Sequence, residues 1–245
     1  MESLGIDIGG TGIKGAIVDV TKGAFTTERY RIPTPEGGKP DDIAEVVGQI
    51  TKFFNWTGPV GCTFPAIIKN GVAHSAANVH ESWVGTDAHS LFQKATGDPV
   101  LVLNDADAAG IAEMKFGAGN GKEGKVFILT LGTGIGSAIF VNGSLMLNSE
   151  LGHLQFKGQD AEKYTANSVR EAKDLSWKKW GKRLNKFLQH VDFIFSPDLF
   201  ILGGGVSKKH DKFFHYLDTQ AEIVPALLRN DAGIIGAAMA AQELA

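Results

Sequence analysis

Two stretches rich in glycine and threonine, Asp7-Ile8-Gly9-Gly10-Thr11-Gly12 and Leu131-Gly132-Thr133-Gly134-Ile135-Gly136, stand far apart in the chain. Apolar and β-branched residues flank each on both sides, which is the pattern of strand, tight turn, strand. In such a turn successive backbone N–H groups face one concavity, and a nest of this kind binds phosphate oxygens. A third group, Asn104-Asp105, follows the strand-forming run Val100-Leu101-Val102-Leu103. Ligands of open α/β sheets gather beyond the carboxyl ends of strands. A carboxylate there is placed to take a proton, although Asn or Asp at that point also serves to cap the helix that follows. Two nests and one carboxylate suggest two related halves facing a polyphosphate ligand.

Two further phosphate motifs are present in letters only. Gly10, Gly12 and Gly15 fit G-x-G-x-x-G, with Glu36 as the downstream acid. That fingerprint requires a helix to open at the glycines. Here Ala16-Ile17-Val18-Asp19-Val20 follows and favours an extended chain. Gly119 through Lys125 fits G-x-x-x-x-G-K, but Val126 stands where Ser or Thr must hold the metal, and a strand follows.

At 245 residues the chain accommodates one large domain or two modest ones. A net charge of −3 gives no reason to expect nucleic-acid binding. Cys62 is the only cysteine and lies in apolar Val60-Gly61-Cys62-Thr63-Phe64, so we expect a buried, inert thiol and no cysteine-based zinc site. Met1-Glu2-Ser3 leads straight into a strand without a basic leader, and no apolar run has the length of a membrane span. The expectation is a soluble, cytoplasmic protein with no membrane partner.

The pattern predicts strands at 2–9, 12–20, 23–32, 59–64, 99–103 and 198–202, besides the pair around the second turn. Helices are expected near 41–55, 88–96, from Asp105 to about Phe116, near 175–192, after Gly203-Gly204-Gly205, and from about 232. Strands followed by helices, twice over, indicate an α/β fold with mixed sheets. In the helix near 175–192, Trp177, Trp180, Leu184, Phe187 or Leu188, and Val191 follow helical spacing and form a buried stripe. Lys178, Lys179, Lys182, Arg183 and Lys186 lie on its other side, a pattern that most often marks only a solvated face.

Asp7-Ile8-Gly9-Gly10-Thr11-Gly12, Asn104-Asp105, Leu131 through Gly136, Glu150-Leu151-Gly152-His153 and Leu202-Gly203-Gly204-Gly205 occur in this order. Together they resemble the ROK family of sugar kinases, part of the actin-like ATPase superfamily. The resemblance covers essentially the whole chain. It implies an actin-like ATPase (ribonuclease H-like) fold of two α/β domains flanking a cleft. Residues 1–103 would form the smaller domain, completed by a C-terminal helix at 232–245, and residues 104–231 the larger. Asp7, Gly9, Gly10, Thr11, Gly12, Gly132, Thr133, Gly134, Gly136, Gly203, Gly204 and Gly205 would serve phosphate and nucleotide. Lys14 is either a phosphate contact or a solvated lysine on its strand. By the same resemblance Asp105 is the general base, and Asp7 orients Mg²⁺ through water. Asn78, Asn104, Asp105, Glu150, His153 and Glu162 would bind the sugar.

Many members carry a cysteine-rich zinc motif after the Gly-His pair, and this chain has no cysteine there, so His153 is not expected to ligate zinc. The helix-turn-helix extension of the family's repressors is also missing from the sequence. The basic stretch at 174–192, the lost zinc motif and Asn104 through Gly110 are similar to the polyphosphate-dependent glucokinases of actinobacteria. That similarity implies transfer to the 6-hydroxyl of glucose, with mannose as a further acceptor, from polyphosphate, ATP or both. Lys178, Lys179, Lys182, Arg183 and Lys186, with Lys208 and Lys209, would then form a cationic track. Relatives suggest a homodimer. The competing readings are a strictly ATP-dependent hexokinase for another sugar and a non-catalytic sugar sensor.

Overall fold

In the computed structural model, which describes residues 1–76 and 79–244, the first glycine turn joins β1 (Glu2–Gly9) to β2 (Gly12–Asp19). The two strands pair antiparallel with Gly9 opposite Gly12, so only Gly10 and Thr11 lie in the bend. β3 (Ala24–Phe25) and β4 (Tyr30–Ile32) both pair with β2, where a single strand at 23–32 was expected. The break has a local cause. The Ile17 N–H donates to the Thr27 hydroxyl at 3.0 Å, so a side chain takes the place of a ladder carbonyl between the two short strands.

The chain continues through α1 (Pro40–Phe53), β5 (Val60–Phe64), the small hairpin β6 (Ile68–Lys69) and β7 (Val72–Ala73), α2 (Ala88–Thr96), β8 (Val100–Asn104) and α3 (Asp105–Phe116). α1 starts on Pro40 with Asp41 and Asp42 in its first turn and Lys52 in its last, each suited to the helix dipole. β5 runs parallel to β1 and to β8, giving a sheet ordered β3-β2-β1-β5-β8 with β4 also on β2.

The second turn joins β9 (Lys125–Leu131) to β10 (Ile135–Val141), followed by β11 (Ser144–Met146), β12 (Gln155–Phe156) and β13 (Gln159–Asp160). α4 (Glu162–Thr165), α5 (Asn167–Ala172), α6 (Trp177–Phe195), β14 (Leu199–Gly203) and β15 (Glu222–Pro225) complete this part. Its sheet is ordered β11-β10-β9-β14-β15, with β14 parallel to β9 and to β15. The two sheets therefore share one plan: a glycine-turn hairpin on one side and two parallel strands on the other. β15 was not expected. It is a short strand ending on a proline at a sheet edge, where Pro disturbs no further ladder.

The chain divides into two compact units, Met1–Ala112 with Asp231–Ala245, and Glu113–Asn230. Each has its own core, one around Leu4, Ile6, Val47 and Phe64, the other around Leu129, Trp180, Phe187 and Phe200. In the second unit the buried Glu113 accepts backbone N–H bonds from Ala118, Leu227 and Leu228, fastening two loops to the end of α3.

The last helix, α7 (Ala232–Ala241), is apolar on all sides and belongs to the first unit. A helix without a polar face must be buried all round. It approaches the sheet backbone to backbone: a Cβ on Gly5 would overlap the Ile234 carbonyl, and one on Gly61 the Ala237 carbonyl. A Cβ on Gly236 would likewise meet the Ala108 carbonyl of α3. Gly61→Ala is therefore expected to destabilise the protein by about 3 kcal/mol or more, the upper range for overpacking, because backbone cannot rotate away. A lower urea midpoint at unchanged slope measures this.

Candidate functional site

Three strands set the residues around the first glycine turn. Asp7 stands opposite Lys14 in the β1–β2 register and opposite Thr63 in the β1–β5 register, so the three side chains share one sheet face. The Thr63 hydroxyl donates to Asp7 Oδ1 at 2.9 Å and accepts the Ile8 N–H at 3.2 Å. Lys14 Nζ lies 3.6 Å from Asp7 Oδ2. Lys14 is thus an ion-pair partner of Asp7 beside the turn rather than an isolated surface lysine.

Opposite Lys14 on β4 is Arg31, whose guanidinium donates to the Thr11 carbonyl at 2.6 Å. A Cβ at Gly12 would run into that guanidinium. Reading the sequence did not single out Arg31, because nothing in an isolated Tyr30-Arg31-Ile32 reveals that β4 returns to the glycine turn. Thr34 donates its hydroxyl to the Gly9 carbonyl, leaving Gly10 open at the apex. A cleft lined by Gly9, Gly10, Phe64, Pro65, His80 and Trp83 opens beside this turn.

Asn104 and Asp105 have different tasks. The buried Asn104 accepts N–H bonds from Ala106 at 2.8 Å and Asp107 at 3.2 Å, and its amide donates to the Ala66 carbonyl at 3.1 Å. Asn104 is the cap of α3. Asp105 Oδ1 accepts from the Ala106 N–H at 2.8 Å, at the mouth of the helix, on the chain just past the carboxyl end of β8.

The other unit carries the second glycine turn. Gly132 N–H donates to the Gly134 carbonyl at 3.0 Å, curling the loop on itself. Glu162 fills the space a Cβ on Gly134 would need and accepts the Ile135 N–H at 3.2 Å. The same carboxylate lies 3.2 Å from where a Cβ on Gly152 would stand, so Glu162 joins the glycine turn to the turn Glu150–His153. Gly136 pairs opposite Thr130, in the β10 limb of the hairpin. Gly204, at φ +81°, lies so close to the backbone of Leu131 that a Cβ would sit 2.7 Å from its nitrogen. Gly203 and Gly205 flank it, ending β14 and opening a 3₁₀ turn.

Burial pushes the Glu150 carboxyl above the ordinary range; His153 opposes this and Glu162 adds to it. His153 Nδ1 lies 3.6 Å from Asp160, whose carboxyl is held below the usual range by Lys163 first, at 3.1 Å, and by His153. Glu150, His153 and Glu162 thus form one electrostatic group next to the second turn.

The basic residues do not all behave as a track. Lys178, Lys179, Lys182 and Lys186 are exposed along α6, whereas Arg183 folds over the Tyr164 ring with its guanidinium carbon 4.9 Å from the centroid. Trp177 was expected in the buried stripe with Trp180, Leu184, Phe187 or Leu188, and Val191. Those five are buried, but Trp177 is only half-buried. It is the first residue of α6, at the margin of the core, where one side of its ring packs on Trp180 and Phe213 and Arg170, Lys209 and Lys212 also meet it. Asn78 lies outside the described residues.

Among the described residues no group of three or more His, Cys, Asp or Glu side chains gathers to hold a metal ion. None of the described helices is long and apolar enough to cross a membrane.

Two sheets of one plan, each centred on a Gly/Thr hairpin, define the actin-like ATPase fold of the solved ROK sugar kinases. The chain belongs to the ROK family, whose model matches residues 3–169. It is 46% identical over 237 residues to the polyphosphate glucokinase of Mycobacterium tuberculosis, covering 96% of this chain and 89% of that protein. It also superimposes on the inorganic polyphosphate/ATP-glucomannokinase of Arthrobacter sp. strain KM with a TM-score of 0.96 and 49% identity, covering 100% and 99% of the two chains. A ROK glucokinase from Streptomyces griseus, 24% identical with a TM-score of 0.80 and 99% and 100% coverage, has the same fold.

Because folding raises the Glu150 pKa, the charged carboxylate carries a folded-state penalty at neutral pH that its protonated form lacks. Glu150→Gln is expected to be more stable than the unaltered chain near pH 7. The advantage should vanish as pH falls below the ordinary carboxyl value of 4.5. Urea unfolding of both proteins on either side of that window measures the crossing, and a pH-independent difference would contradict the assignment.

Proposed function

We propose that this chain is a phosphotransferase that phosphorylates the 6-hydroxyl of glucose, with inorganic polyphosphate or ATP as donor. Its kinship supports the reaction class: close relatives over nearly the whole chain are a polyphosphate glucokinase and a polyphosphate/ATP-glucomannokinase. The observation that carries the mechanism is the division of labour at Asn104-Asp105. Asn104 satisfies the helix cap, so the Asp105 carboxylate is not needed for capping Asp107 and stands at the helix mouth.

Asp105 accepts the proton of the sugar 6-hydroxyl as that oxygen attacks the terminal phosphorus of the donor. The P–O bond to the rest of the donor breaks, and the shortened polyphosphate or ADP leaves with the bonding pair. Phosphoryl transfer asks for positioning and charge stabilisation more than for covalent chemistry. The N–H groups of the turns at Gly9–Gly12 and Gly132–Gly136 supply the stabilisation as preorganised dipoles. Lys14 and Arg31 add fixed positive charge at the first turn. Glu150, His153 and Glu162 take sugar hydroxyls, with His153 oriented by Asp160.

Mg²⁺ fits Asp7 as a water-mediated partner. One carboxylate, already engaged by Thr63 and Lys14, suits an ion that keeps several waters and takes few protein ligands. When bound, the ion would neutralise charge on the donor phosphates. Mannose as a second acceptor, a cytoplasmic location and a homodimer belong to the same reading on the strength of the family likeness. Sedimentation of the purified chain measures the last.

Asp105→Asn is expected to lower kcat by about 10²–10⁴-fold, the usual contribution of a positioned base, while glucose binding persists. Coupled assays with long-chain polyphosphate and with ATP over a sugar panel, alongside glucose titration calorimetry, test this. A variant retaining more than about a tenth of wild-type kcat would remove Asp105 from the role. Turnover with ATP alone would make the chain a strictly ATP-dependent kinase, and tight sugar binding with neither donor used would make it a sensor.

A further inference from the structure

Three cations converge on one aromatic ring in the second unit, and none of the roles above uses all of them. The Arg170 guanidinium carbon lies 4.2 Å from the Trp177 ring centroid, Lys212 Nζ 5.9 Å and Lys209 Nζ 6.0 Å. The three arrive from two elements: Arg170 from α5, the lysines from the 3₁₀ segment Gly205–Lys212. The ring is itself held, parallel to Phe213 at 6.0 Å and edge-on to Trp180 at 5.9 Å.

A cation–π contact accounts for Arg170, but the lysines stand at the outer limit of such contacts. Neither Lys209 nor Lys212 forms an ion pair among the described residues, although the chain carries more acids than bases. Arg170 is oriented by Asn167 at 2.9 Å and by the exposed Glu171 at 3.0 Å. Three like charges gathered on one ring repel one another, and a bound polyanion relieves that repulsion.

The group is tied to the second glycine turn. One residue pair before Arg170, Ser168 donates its backbone N–H to the Gly132 carbonyl at 3.1 Å and its hydroxyl to the Thr133 carbonyl. The Gly203–Gly205 segment that leads to Lys209 and Lys212 packs through Gly204 against Leu131, where β9 enters the same turn. Both elements that carry the cations are therefore anchored on the phosphate turn itself.

We propose that Arg170, Lys209 and Lys212 form, around Trp177, a distal anion subsite for the phosphates of an inorganic polyphosphate chain whose end is held at the turn Gly132–Gly136. The subsite rests on the donor reading given above and deepens it. It predicts that recognition depends on chain length, with a long chain filling the subsite and gaining more from it than a triphosphate.

The test compares the unaltered chain with Lys209→Gln/Lys212→Gln, whose altered side chains are exposed, and with the triple variant that adds Arg170→Gln. Binding of long-chain polyphosphate and of tripolyphosphate is followed by tryptophan fluorescence without sugar, over a salt series, and turnover is assayed with both. The expected result is a loss of long-chain affinity of about tenfold or more per charge-assisted contact removed, with a smaller change for tripolyphosphate. The salt slope for the long chain should fall by roughly two for the triple variant, by counterion release from a single-stranded polyanion. Equal dependence on chain length and salt in the unaltered chain and both variants overturns the subsite. Equal losses for long and short donors overturn it as well, since they would mark a role at the turn. Absence of turnover with any polyphosphate by the unaltered chain instead refutes the donor reading, while the binding comparison still decides whether the subsite exists.

Discussion

The first glycine turn depends on the approach of α7 to the sheet, backbone against backbone. Gly5, Gly61 and Gly236 allow it, each where a methyl group would strike a carbonyl. At the start of this helix the position of a Cβ on Gly233 would lie 3.2 Å from Asp7 Oδ1. The carboxylate that precedes the first glycine turn is thus bounded on one side by the last helix of the chain. An all-apolar helix such as α7 is not stable by itself in water. The first unit therefore reaches its final form only when the two ends of the sequence meet, a highly non-local step.

The two sheets repeat one plan, but the turns are furnished differently. In the first, the acid comes from the strand that enters the turn, and Thr63 couples Asp7 to the Ile8 N–H. In the second, the acid comes from outside the hairpin, with Glu162 taking the Ile135 N–H directly. A carboxylate next to a phosphate nest works against the anion it should hold. At the first turn Lys14 and Arg31 offset Asp7 at short range. Among the described residues no Lys or Arg forms an ion pair with Glu162, and Arg170, Lys209 and Lys212 of that unit gather around Trp177.

The glycine turns were legible because they are local. Apolar alternation fixed the strands, and the missing helix after Gly12 excluded a dinucleotide turn. The helix cap at 104–105 was legible only as an alternative, since the choice between Asn104 and Asp105 depends on which side chain can reach Asp107. Arg31 was hidden because its importance arises from β4 folding back on β2. Trp177 was misread because helical spacing identifies a face but not how far the core extends along it. Arg170 and Lys212 sit next to Glu171 and Asp211 in sequence, and that adjacency concealed the cation group that the fold assembles.

Net charge and local charge answer separate questions here. With 27 acidic and 24 Lys or Arg side chains, the chain as a whole repels polyanions weakly. Beyond a Debye length of about 8 Å at physiological salt, that overall balance is largely screened. What a polyanion meets at contact is set by which few charges lie within that distance of one another. Lys209 and Lys212 each lie within 6.0 Å of the Trp177 ring centre, and Arg170 closer still. The α6 lysines are spread along an exposed helix face, where salt and water dilute each contribution. A slightly acidic chain can therefore hold a strongly negative donor, provided its cations are focused by the fold and not merely frequent in the sequence.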